Sequence, residues 1–267
     1  MIDDKIEQSR ENDEITPAEN TDTSKAEVLG DFEKEEEIET EIIEVDEDEF
    51  DEDNLPWDVA KAKAGVLKAF KENSEVDLLK ILKDNSFLFY DLYSRKYGIQ
   101  PIFRELNFGT EFKCDFAWLN DNSSGPEWVL VEIEAPDMPL FKSTGKPTVK
   151  LYDAIEQVHT WEQYFEENKG EKTRVFGAVA QFRFILVTGT KEGWQTEHAS
   201  RWRIQHGKRL KVEIRSMDTF MKSIKVAEED PSELWSFAKY PKTKSHNELQ
   251  KYWENYQYMD RWRKIID

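Results

Sequence analysis

Two carboxylates alternate on a short apolar run, Trp128-Val-Leu-Val-Glu132-Ile-Glu134-Ala-Pro, and a lone Asp115 interrupts an earlier one, Phe112-Lys-Cys-Asp115-Phe-Ala-Trp. Side chains on a β-strand alternate between faces, so Glu132 and Glu134 share one face while Val129, Val131 and Ile133 fill the other. The same alternation turns Asp115 away from Phe112, Cys114, Phe116 and Trp118. Asn120-Asp-Asn-Ser-Ser-Gly-Pro126 reads as a loop, which makes the two runs neighbouring antiparallel strands. Three carboxylates then converge on one point. Gathering them on half-buried strands is costly, and a hard divalent cation, Mg²⁺ or Mn²⁺, is the usual reason. A plain alternative makes Glu132 and Glu134 the solvent face of an amphipathic strand.

The elements that must position these groups follow from periodicity. Apolar residues recur at helical spacing from Val59 to Phe70 and from Glu75 to Tyr93, the second stretch interrupted at Asn85. Pro101 to Phe108 reads as a strand ahead of the Asp115 strand. After the Glu132 strand comes an irregular basic segment, Pro136 to Lys150. Leu151, Ile155, Val158, Trp161 and Phe165 then form one helical stripe. Phe182 to Thr188 and Leu210 to Arg215 read as further strands, with a helix starting near Ser216. Many aromatics follow, from Trp235 to Trp262, in expected helices. This order predicts an α/β core with a central mixed sheet flanked by helices.

The formal charge of −19 conceals a division. Residues 1–54 hold 24 Asp and Glu against 4 Lys and Arg, whereas the remaining 32 acidic and 33 basic residues nearly cancel. The leader is too poor in apolar residues to offset ordering entropy, and we expect it to be disordered. It serves as a solubilising tail or as an autoinhibitory polyanion that competes with nucleic acid. The expected organisation is leader 1–54, helical lead-in 55–99, core 100–225 and an aromatic-rich helical extension 226–267. The single cysteine, Cys114, excludes an internal disulfide and any multi-cysteine zinc module. No apolar stretch is long enough for a transmembrane helix, so a soluble, cytoplasmic setting is expected.

Asp115, sixteen intervening residues, Glu132, one residue and a polar side chain form the layout of the PD-(D/E)xK nuclease superfamily. Wider motifs also resemble the Shedu family of bacterial defence nucleases. They are Leu82-Lys-Asp-Asn-Ser-Phe-Leu, Glu105-Leu-Asn-Phe-Gly, Val131 to Thr148, Leu151 to Trp161, Ile185-Leu-Val-Thr-Gly189 and Val212 to Asp218. The resemblance implies a restriction-endonuclease-like core, Mg²⁺ or Mn²⁺ at Asp115 and Glu132, DNA as substrate, and a tendency to oligomerise. Glu134 falls where many relatives carry lysine. It is then a third ligand or a water-orienting base, and Gln157 matches a helical glutamine near the site. Lys142, Lys146 or Lys150 can return the missing positive charge. Trp161, one turn beyond Gln157, either faces a base or packs in the core. Glu105 either reaches the site or forms a salt bridge.

Arg201-Trp-Arg203-Ile-Gln-His206-Gly-Lys208-Arg209-Leu-Lys211 is a second basic and aromatic patch. It suits phosphate contacts with stacking, or else a strand and turn with a solvated face. The histidines lack zinc spacing, and the chain has neither a Gly-x-Ser-x-Gly elbow nor a Walker loop. The expected function is metal-dependent DNA hydrolysis in antiphage defence. The alternatives are a nucleic-acid-binding module that has lost cleavage, and a protein-interaction scaffold.

Overall fold

A computed structural model describes residues 50–51, 54–96, 98–206 and 210–266. The acidic leader therefore lies almost wholly outside the described residues, as do Lys208 and Arg209. Helices α1 (Val59–Lys71) and α2 (Glu75–Asp84) begin at side-chain caps. The Asp58 carboxylate accepts from the Lys61 amide at 2.8 Å, and the Ser74 hydroxyl accepts from the Asp77 amide at 3.2 Å. A 3₁₀ segment, Ser86–Leu92, takes over where Asn85 ends α2. Strands β1 (Phe103–Phe108), β2 (Phe112–Asn122) and β3 (Gly125–Ile133) follow.

The loop expected over 120–126 is shorter than its composition suggests. The β2–β3 ladder runs to Asn122↔Gly125, leaving Ser123 and Ser124 to turn the chain. The Asn122 side chain accepts from the Ser124 amide, and Gly125 takes φ +117°, a conformation that side chains oppose.

Helix α3 (Val149–Glu167) starts at Thr148, whose hydroxyl accepts from the Leu151 amide, and buries all five residues of the expected stripe. Helix α4 (Lys169–Phe176) leads to β4 (Gln181–Val187). Helices α5 (Lys191–Trp194) and α6 (Glu197–His206) precede β5 (Val212–Arg215) and α7 (Asp218–Glu229). The C-terminal segment is helical, with α8 (Trp235–Ala238), α9 (His246–Glu254) and α10 (Gln257–Ile266). It also returns a short strand, β6 (Lys244–Ser245), to the sheet edge.

The sheet is mixed, in the order β5-β4-β3-β2-β1-β6. Antiparallel pairs β1–β2 and β2–β3 are flanked by parallel pairs β3–β4, β4–β5 and β1–β6. Each face carries its own apolar cluster. Val129, Val131 and Ile133 pack with Val66, Leu82, Phe89 and Phe220, under α1, α2 and α7. Trp128 and Leu130 pack with Trp161, Phe165 and Phe176, under α3 and α4. Among the described residues no helix is long and apolar enough to cross a membrane.

Candidate metal and phosphate site

Both faces of β3 are buried, which removes the solvent-face reading of Glu132, while Glu134 lies just beyond the strand. Glu132 lies on the same face as Leu130 and Trp128, beneath α3. Asp115 stands where the sheet forks. The β2–β3 ladder stops at Phe116↔Val131, yet β3 goes on pairing β4 through Ile133↔Val187, and β2 goes on pairing β1 through Phe108↔Phe112. At a fork, backbone groups lose their ladder partners and must find others. The Ile133 amide donates to Asp115 Oδ2 at 3.0 Å, and the Cys114 thiol donates to the Phe116 and Val131 carbonyls.

Simple alternation fails at this point and corrects the expectation for Asp115. Phe116 and Trp118 pack on the α1–α2 side as parity requires, but Cys114 and Phe112 pack on the α3 side. The register Arg104↔Phe116 and Leu106↔Cys114 places Glu105 opposite Asp115, and Glu105 has φ +54°. A non-glycine residue in that region twists the strand locally, which accounts for the slip of one side-chain face. Glu105 itself forms the salt bridge, at 3.0 Å to Lys83 and 3.2 Å to Lys113.

Across the fork, Gln157 Nε2 on α3 donates to Glu132 Oε1 at 2.5 Å. Although the Glu132 side chain is only partly buried overall, its Oε2 is sealed from solvent and has no hydrogen-bond partner. Glu134 follows the end of β3, its amide held by the Val187 carbonyl at 3.0 Å. A fourth carboxylate, Glu75, enters from the first turn of α2. Its helix is brought here by the Asp137 amide, which donates to the Asn73 side chain at 2.7 Å. Sequence reasoning missed Glu75, because an acid in a helix's first turn is commonplace.

The electrostatics record how crowded the fork is. Burial raises the Asp115 carboxyl to about 7, aided by Glu75 and Glu134 and opposed by the Ile133 amide and Lys113. Burial raises Glu132 to about 9, with Asp115, Glu134 and Glu75 adding to the effect and Gln157 opposing it. Burial and Glu75 also raise Glu134, while Lys150 pulls it back. Burial raises Glu75. Burial is the larger cause throughout, and repulsion among the carboxylates adds to it at Asp115, Glu132 and Glu134.

An all-oxygen donor set containing a buried, unpartnered carboxylate oxygen fits a hard divalent cation. Among the described residues, no three His, Cys, Asp or Glu side chains already stand at chelating separation. Asp115, Glu132 and Glu134 are within electrostatic reach of one another and must close in to share one ion.

The basic candidates divide. Lys150, in the first turn of α3, faces Glu134, whereas Lys142 and Lys146 are exposed on a tight turn joined by the Lys142 amide and Lys146 carbonyl. Within the patch after Arg201, residues 201–206 are the end of α6 rather than a strand. Arg201 pairs with Glu197 at 2.5 Å, Arg203 lies 4.4 Å over the Trp194 ring, and Lys211 bonds Glu162 at 2.7 Å. Trp161 is fully buried and edge-on to Phe108, so it packs in the core and faces no base.

A mixed six-stranded sheet flanked by helices, forked over buried carboxylates with a glutamine reaching in from a helix, defines an α/β protein with a polar site inside its sheet. The chain belongs to the Shedu family: the model for the C-terminal part of Shedu protein SduA matches residues 72–221, more than half of the chain. That span contains Glu75, Asp115, Glu132, Glu134 and Gln157. No curated protein matches the chain.

Proposed function

We propose that this chain is a metal-dependent deoxyribonuclease of the restriction-endonuclease-like, PD-(D/E)xK type, hydrolysing DNA phosphodiester bonds in antiphage defence. The reading is supported chiefly by the fork itself, where Asp115 and Glu134 lie within electrostatic reach of Glu132, Gln157 bonds Glu132, and one Glu132 oxygen is left without a partner. Membership in the Shedu family supports the substrate class.

Asp115, Glu132 and Glu134 hold Mg²⁺ or Mn²⁺ in this scheme. When bound, the ion lowers the pKa of a water and offsets charge on the attacked phosphate. Gln157 fixes the rotamer of Glu132 through its hydrogen bond and presents its remaining amide hydrogen toward the phosphate. If Glu134 is not a third ligand, its carboxylate, whose proton affinity burial and Glu75 raise, is the base that orients the attacking water. Lys150 supplies the positive charge that a lysine at position 134 supplies in relatives. Lys142, Lys146, Arg203, Lys208 and Arg209 are proposed to meet DNA phosphates farther out, and a second copy of the chain is the proposed partner.

Digestion of linear and nicked plasmid DNA with Mg²⁺ or Mn²⁺ tests this reading. Wild type should cut, and Asp115→Ala and Glu132→Ala should each lose at least about a hundredfold in rate, as expected for removal of one charge-stabilising group. Equal activity in all three proteins removes the assignment. The replacement of lysine by Glu134 favours a second reading, a module that binds DNA without cutting it. Wild-type binding that survives both substitutions, with no cleavage, selects that reading.

A further inference from the structure

A cleft of about 330 Å³ opens between the C-terminal half of α2, strand β1 and the segment leading into β6, lined by Lys80, Lys83, Asp84, Arg104, Lys242 and Thr243. Asp84 is the single carboxylate among its described lining residues, set against four cations, and it reaches Lys242 only at 3.7 Å between two largely exposed side chains. Two of the cleft's lysines also meet acids outside its lining, and a third nearby acid is held by a serine. Asp77 is bound by Ser74 and Lys80, Glu105 by Lys83 and Lys113, and Glu248 by Ser245.

The floor of the cleft is fixed. Arg104 donates to the carbonyl and hydroxyl of Thr243, neutral partners that fix the guanidinium in place, while its charge also acts on the Glu248 carboxylate. Thr243 is buried, and both its amide and its hydroxyl donate to the Lys83 carbonyl at 3.0 Å. The arginine is thus held in place before any ligand arrives, which reduces the ordering cost of binding an anion. At about 30 Å³ per water, the volume accommodates one hydrated phosphodiester group.

The cleft is connected to the fork. Lys83 bonds Glu105, Glu105 bonds Lys113, and Lys113 acts on the Asp115 carboxyl. Helix α2 carries Glu75 at the fork and Lys83 at the cleft, eight residues later, a separation of roughly 12 Å along the axis. At one phosphate per 3.4 Å on each strand, that distance is about three to four nucleotide steps.

We propose that this cleft is a phosphate-binding subsite that holds the backbone of a DNA strand a few nucleotides from the carboxylate fork. The proposal rests on the nuclease reading for its substrate, but its test does not depend on cleavage. Binding of a labelled 20-base-pair duplex to the full chain is measured by fluorescence anisotropy in EDTA over a range of salt. Lys80 and Lys242 are exposed, so Lys80→Gln with Lys242→Gln should leave the thermal midpoint unchanged. The double variant should bind about tenfold more weakly and lose roughly one to two units from the slope of log affinity against log salt. Arg104→Gln should weaken binding similarly, and Arg104→Lys should restore part of it. Lys222→Gln with Lys225→Gln on α7 removes the same charge elsewhere and should change the affinity less than twofold.

Affinity in the cleft variants equal to wild type overturns the proposal, as does an equal loss in the α7 control or no wild-type binding. Inorganic phosphate provides the other arm. A wild-type thermal shift at micromolar phosphate, absent from the cleft variants while their DNA affinity is intact, assigns the cleft to a free anion and also overturns it. Weakened binding in the cleft variants together with a wild type that never cuts sustains the subsite and removes the nuclease reading alone.

Discussion

The strongest prediction concerns stability without metal, because the fork stores repulsion that pH can release. Asp115 and Glu132 titrate at about 7 and about 9 in the folded chain, raised by burial from 3.8 and 4.5. Between those ordinary values and the folded ones, the native state holds protons that the unfolded chain has given up. Stability therefore declines as pH rises through this window, the reverse of a salt-bridged carboxylate. The two groups are neighbours and titrate as a pair, so one proton is a fair measure of the excess between about pH 7 and 9. One proton corresponds to about 1.4 kcal/mol per pH unit. For a chain of this size each kcal/mol moves the midpoint by about 2–4 °C, giving a fall of about 3–6 °C per pH unit. Glu132→Gln removes the titrating group while keeping shape and an acceptor for Gln157. Its midpoint in EDTA should be nearly flat above pH 7, while that of wild type should fall by about 5–9 °C between pH 7 and 8.5. Saturating Mn²⁺ should restore the wild type at high pH, by about 2.7 kcal/mol at a hundred times the dissociation constant, and should leave the variant unchanged. Parallel wild-type and variant profiles across pH 6.5–9 would falsify the claim that a buried, repelled carboxyl pair occupies the fork.

Three further outcomes follow from individual residues. Trp161→Ala should cost about 3–5 kcal/mol in urea unfolding because the ring is wholly buried, whereas Trp161→Phe should bind duplex DNA as wild type does. Glu134→Lys places a cation beside Asp115 and Glu132 and lowers their folded-state proton affinity, so the decline of metal-free stability with pH should be smaller and end at a lower pH, and calorimetric Mn²⁺ affinity should drop at least tenfold. An unchanged Mn²⁺ isotherm removes Glu134 from the ligand set. Gly177 has φ +74°, and an added Cβ would sit 2.8 Å from the Trp253 ring, so Gly177→Ala should lower stability by about 2 kcal/mol in the same unfolding assay.

Local pattern made part of this structure legible and long-range geometry hid the rest. The α3 stripe was readable because five apolar residues at helical spacing bury one continuous face. Strands β2 and β3 were readable from their apolar runs, and the carboxylates from their interruption of those runs. The fork was not readable. It depends on which neighbour each strand keeps, and on a positive φ at Glu105 that no residue type announces. Helix α6 escaped because Ala199 and Trp202 are its only described buried residues, too few to set a period. Glu75 escaped because the link that brings it in, the Asp137 amide to Asn73, joins positions 64 residues apart.

The fork also explains why a polar site can sit inside a sheet that is apolar on both faces. An intact β2–β3 ladder would continue past Phe116↔Val131 and press Asp115 and Glu132 together as cross-strand neighbours, with no room for a ligand. Parting the strands there exposes backbone groups, and the Asp115 carboxylate accepts the Ile133 amide, so the residue that repels its neighbours also satisfies the break. Two apolar clusters hold the parted strands from opposite sides, with α3 bringing Gln157 and Lys150 and α2 bringing Glu75. The repulsion therefore falls on side chains anchored to rigid elements, where it raises proton affinity and makes the fold less stable as pH rises. A divalent cation relieves that repulsion by replacing the protons, which is why apo stability and metal affinity should respond in opposite directions to pH.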